Sequence, residues 1–149
     1  MPGRMTTSLK SIEGLIQQKR QNVEKVLLNI FCEAGEECII EARNGGSYID
    51  RTGNLRSSIG YAVLKDGKVY QQEQVERTLN GGKGLSEGAK FLEQKVRDND
   101  RRGIVLIVTA GMNYAEYVEA KGRVVLSSAE LKAPNIVREL LTSVGFELK

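Results

Sequence analysis

The chain contains no histidine and no tryptophan. The first absence removes the commonest general base, the commonest metal ligand, and every Ser-His or Cys-His relay. The second, with aromatics at only 5% of residues, argues against a stacking platform for single-stranded nucleic acid and leaves core packing to aliphatic side chains. No apolar run is long enough to span a bilayer, and the opening "MPGRMTTSLK" lacks the apolar centre of a signal peptide. A protein made and kept in a cytoplasm is the expectation, with no membrane partner. The two cysteines, Cys32 and Cys38, agree with it. Six positions apart on a helix, they stand about 9 Å apart along its axis, beyond the roughly 7 Å that a disulfide tolerates. Buried free thiols are expected.

What is present fits a folded domain. The chain has 149 residues, 40% hydrophobic and 28% charged, a length that accommodates one domain over 1–149 and buries a core without staples. A net charge of +3, from 22 basic residues interleaved with 19 acidic ones, says little about partners. Apolar residues at Leu9, Ile12, Ile16, Val23, Leu27, Ile30, Ala34 and Cys38 recur every three or four positions. This period predicts one long amphipathic helix, or two with a break near Gly35. So long a helix in a small globule implies that part of its stripe faces a neighbouring copy.

Asp66-Gly67 between Ser58–Leu64 and Lys68–Gln74 predicts a β-hairpin. The β-branched run "IVLIVT", Ile104 to Thr109, predicts a central strand buried on both faces. A modest helix is expected from Ala89 to Asp98 after a Gly-rich surface loop, and a short helix after Asn113 carrying Tyr114 and Tyr117. A short strand over Arg123–Leu126 and a closing helix follow. A capping box of Ser127 and Glu130 starts the closing helix, and Pro134 either kinks it or marks its first turn. The fold class expected is α+β, a small, mostly antiparallel sheet packed by the N-terminal and C-terminal helices.

The chemical inventory is thin, so no catalytic, cofactor-binding or metal-binding residue is assigned, and an enzyme is not expected. The cysteine spacing is not that of a zinc site. "GGKGLSEG" invites a phosphate loop, but Gly88 falls one place late for the dinucleotide fingerprint, and Lys83 lacks both the earlier glycine and the following Ser or Thr of a P-loop. A nucleotide-binding or hydrolytic enzyme using Lys83, with Glu116 or Glu119 as base, is the alternative. Asp98 and Asp100 stand beside Arg97, Arg101 and Arg102, which neutralise them more readily than a cation would. In "DRTGNLRSSIG", Ser57 and Ser58 have no base within sequence reach. That stretch reads as a tight turn anchored by Leu55 and Ile59, with Arg51 and Arg56 presented outward for a neighbour's carboxylates.

"DRTGNLRSSIGYAV", the hairpin, a hydrophobic strand, "NYAEYVEAKG", "VVL" and a closing helix together resemble the tail-completion (neck, or head–tail joining) proteins of long-tailed bacteriophages and prophages. The resemblance rests on Thr52, Gly53, Leu55, Arg56, Ser58 and Ile59, and on Tyr114, Ala115, Val118, Glu119 and Gly122. It implies a structural virion protein that forms a ring homo-oligomer, sixfold in the family. The ring would join a tail-tube or tail-terminator protein to a head connector, with DNA passing through the lumen without sequence-specific contact. It places the protein in the host cytoplasm during assembly and then in the virion neck. It also implies interface roles for Arg51, Arg56, Tyr114, Tyr117 and Glu119.

Overall fold

A computed structural model describes residues 9–44, 53–74, 81–112, 115 and 125–147. The first helix, α1, runs unbroken over Leu9–Asn44, 36 residues, about 54 Å at 1.5 Å per residue. No proline interrupts it, and Arg43 in its last turn complements the helix dipole. Gly35 marks no break. A Cβ there would lie 2.4 Å from the Tyr61 ring, so the glycine lets the helix settle directly on the sheet. Among the described residues it is the second half of α1 that is covered, its buried residues running from Leu28 to Ala42.

A short helix, α2 (Asn54–Ser57), follows Gly53, whose φ of 77° puts it in the left-handed region that glycine tolerates best. The Ser57 N–H donates to the Gly53 carbonyl at 3.0 Å, and Ser58 Oγ donates to the Leu55 carbonyl at 2.7 Å. The turn expected here is therefore real and internally bonded. Strands β1 (Ile59–Lys65) and β2 (Lys68–Gln74) then form the expected hairpin. Asp66 and Gly67 both have positive φ, 50° and 83°, which matches the twist of a two-residue turn. The Gly103 N–H donates to Asp66 Oδ1 at 2.8 Å and the Asp66 N–H donates to the Gly103 carbonyl at 2.9 Å, tying the turn to the start of β3.

Strand β3 (Ile104–Ala110) pairs antiparallel with β1, giving the order β2-β1-β3. The expectation of a central β3 is corrected. β1 is central and almost wholly buried, whereas β3 has no second strand partner among the described residues and most of its side chains are half-buried. Alternating residues of β1 serve two cores. Ile59, Tyr61 and Val63 meet α1 and the C-terminal helix, and Ala62 and Leu64 meet Leu92 on the other face.

That other face is covered by α3 (Gly82–Asp98), which begins seven residues earlier than its apolar pattern suggests. The glycines expected to form a loop are packing positions inside the helix. A Cβ on Gly84 would sit 2.1 Å from the Asn54 carbonyl oxygen, and Gly111 closes directly on Gly88. The Gly84 N–H donates to Asn54 Oδ1 at 3.0 Å, so a side chain from α2 satisfies one of the orphan donors in the first turn of α3.

The last helix, α4 (Ser127–Ser143), lies against α1 with Ala129, Ala133 and Ile136 turned to the core. Lys132 Nζ pairs with Glu41 Oε1 at 2.8 Å. The helix starts one residue earlier than the expected capping box at Ser127 would place it. Leu126 occupies the cap position, with no side-chain cap, and Ser127 is already helical. Pro134 sits inside the helix and not in its first turn. Gly145, with φ 94°, follows its end as expected. Of the expected short strand, Val125 and Leu126 are bends; Arg123 and Val124 lie outside the described residues, as does nearly all of the expected short helix after Asn113. The architecture is α+β, with a small antiparallel sheet between α1 and α4 on one face and α3 on the other.

Candidate interaction surfaces

Two surfaces carry apolar side chains that the described residues leave partly uncovered. The first is the leading half of α1. Its apolar stripe runs past the sheet, leaving Leu9 73%, Ile16 49% and Val23 46% exposed. Near the sheet the stripe borders a shallow apolar depression lined by Ile16, Val23 and Leu27 of α1 and Ile104 of β3. Lys65 of β1 pairs with Glu24 of α1 at the same place. Beyond it, Glu13, Lys19 and Arg20 are exposed beside the apolar positions.

The second surface flanks the outer edge of β3. On one side a groove runs between β3 and α4, with Phe31, Leu106, Leu126 and Pro134 in its walls and Arg101 and Arg102 at its mouth. On the other side Phe91 and Lys95 of α3 face Ile107 and Ala110. Lys95 Nζ lies 5.2 Å from the centre of the Phe91 ring, close enough for a cation–π contact.

Tyr61 is fully buried. Its hydroxyl accepts from Gln71 Nε2 at 2.7 Å and donates to Glu36 Oε1 at 3.4 Å. Burial first, then the Glu73 and Glu36 carboxylates, push its pKa up to about 12, against the lowering effect of the Gln71 bond. Cys32 and Cys38 are buried free thiols, and burial raises both above the ordinary thiol value, with Glu36 and Glu37 respectively adding to it. Neither thiol has the electropositive, thiolate-favouring surroundings of a reactive cysteine. Among the described residues no group of three or more potential ligands stands close enough to hold a metal ion. No described helix is long and apolar enough to cross a membrane.

Of the residues singled out from sequence, Arg56 lies in α2 and is half-buried, less outward than expected. Arg51, Tyr114, Glu116, Tyr117 and Glu119 lie outside the described residues. Lys83 is exposed on the first turn of α3, in a segment whose glycines close against protein backbone. Sequence reasoning missed the edge place of β3 among the described residues and did not single out Glu13 and Arg20, exposed beside the α1 stripe. The stripe itself was visible as a period of three and four.

No family model matches the chain, and no solved structure matches it significantly. Among curated proteins, it is similar to a probable transcriptional regulatory protein of Clostridium tetani, 28% identical over 94 residues. That stretch is 63% of this chain but 37% of the other protein, so the match spans well under half of the relative's length. The similarity overturns the phage reading. The comparisons bring up a regulatory protein and not a tail-completion, neck or head–tail joining protein, and the virion role falls with the resemblance. The physical reason lies in the motif. Gly53 is there for its backbone angles, Leu55 and Ile59 for burial, and Ser58 for its bond to the turn. Turns favour glycine and serine for such local reasons whatever the protein does.

Proposed function

We propose that this chain is a non-catalytic module that works by binding macromolecules, beginning with its own copies. The observation that carries the reading is the leading half of α1, an apolar face continuous with the core but extended beyond the described elements that cover its second half. Exposed apolar surface of this kind on a preformed helix is what helix-in-groove and helix-pair recognition use. The buried hydroxyl and thiols, held protonated by burial, add no nucleophile to compete with it. Light scattering on the eluting 149-residue chain tests the reading. Association that rises with concentration is expected, and Ile16→Asp should abolish it while leaving the circular dichroism unchanged. An Ile16→Asp protein that associates as the wild type does would end the proposal.

A second reading places that module in the control of transcription. It is favoured by the name of the similar Clostridium tetani protein and by the exposed Arg101 and Arg102 at the mouth of the β3 groove. Fluorescence anisotropy with duplex DNA at several salt concentrations addresses it. Binding that weakens steeply with salt, and more so than in Arg101→Ala/Arg102→Ala, is expected from phosphate contacts. Absence of binding at low salt removes the reading.

A further inference from the structure

We propose that the leading half of α1 pairs antiparallel with the same segment of a second copy, about a two-fold axis between Gln17 and Gln18. This rests on the association reading above and adds the occupant and its register. Leu9, Ile12, Ile16, Lys19, Val23 and Val26 follow one another at alternating steps of three and four, the seam of a two-helix coiled coil. With the axis between the two glutamines, Leu9 meets Val26 of the second copy and Ile12 meets Val23. Ile16 lies against the aliphatic stem of Lys19, whose ammonium reaches past it to water.

Charge selects this direction. Glu13 and Arg20 flank the seam on one side, are exposed, and form no ion pair within the chain among the described residues. Antiparallel pairing sets each Glu13 beside the Arg20 of the other copy, twice per dimer. A parallel pair would instead place Lys19 against its own copy in the seam and Arg20 beside Leu15, with no opposite charges brought together. It would also crowd both sheets at one end. The antiparallel pair leaves the two sheets at opposite ends, and the depression beside Ile104 receives the tip of the incoming helix.

The seam holds fewer than three heptads, too few to hold two isolated peptides together. Here the nucleation cost is already met, because the second half of α1 is locked into the fold and the helix only has to propagate outward. A reversible dimer, in concentration-dependent exchange with monomer, is the expected product.

Sedimentation equilibrium on the full chain decides the register through charge reversal. Glu13→Arg and Arg20→Glu each turn two attractions into two repulsions and should weaken the dimer about tenfold, the effect shrinking in high salt. The double variant Glu13→Arg/Arg20→Glu restores both pairs with their signs exchanged and should return to within about threefold of the wild type. A double variant as weak as the product of the two singles overturns the antiparallel register. If Ile16→Asp still disperses the dimer in that case, the association reading stands and only the register is lost. If Ile16→Asp disperses nothing, both fall.

Discussion

At Tyr61 one phenol joins helix and sheet. Its ring fills the space that Gly35 leaves open, and its hydroxyl bridges Gln71 of β2 and Glu36 of α1. Ionising it in the folded state would bury a charge and set it near the Glu73 and Glu36 carboxylates, which is why its pKa rises from 10.0 to about 12. The consequence for stability has a definite sign. Between those two values the folded chain keeps a proton that the unfolded chain has lost, so stability falls as pH rises. The contribution is intact below pH 10, and about 2 kcal/mol of it should be gone once the folded pKa is passed. Lysines titrate in the same range, so the useful quantity is the difference between wild type and Tyr61→Phe in urea melts across that window. The wild type should lose stability more steeply, and parallel slopes would show that the phenol contributes nothing.

Among the elements, α3 shows how a glycine-rich stretch becomes a helix start. Its first turn is held by Asn54 from α2, and Gly84 lies directly on the Asn54 backbone. Two substitutions separate propensity from packing. Gly14 of α1 has nothing within 4 Å of a built Cβ, so Gly14→Ala should stabilise by up to about 1 kcal/mol through helix propensity alone. Gly84→Ala earns the same propensity gain but drives a methyl into backbone at 2.1 Å, and backbone there is tied down from both sides. Overpacking of that kind costs about 1–3 kcal/mol and should win, leaving a net loss. Equal shifts in the urea midpoint for the two variants would mean that α2 and α3 are not in register as described.

For the molecule as a whole, what was legible in the sequence follows from what a linear pattern can encode. The 36-residue α1 and the Asp66-Gly67 hairpin were readable because period and turn chemistry are local. The lateral place of β3 was not, since "IVLIVT" states that a strand is apolar on both faces but not which strands lie beside it. Its faces are covered by helices, α1 on one side and α3 on the other, and among the described residues only β1 lies beside it. The start of α3 was hidden because glycine lowers helix propensity, and only the approach of Asn54 and Gly111 makes Gly84 and Gly88 the residues that fit. Of the candidate surface, the apolar overshoot was foreseen from helix length. The resemblance to phage proteins failed because it weighed residues that local geometry alone demands.

Gly35 has a mechanical consequence. It is where α1 comes down on the Tyr61 ring without a side chain of its own between them, and Leu9 lies some 26 residues, or about 39 Å, farther out along a straight helix. Packing from Leu28 to Ala42 and the Glu24–Lys65 pair hold the helix on both sides of that point, so the projecting arm is the stretch from Glu24 out to Leu9, about 22 Å, and a tilt of about 5° at its root moves the tip through about 2 Å.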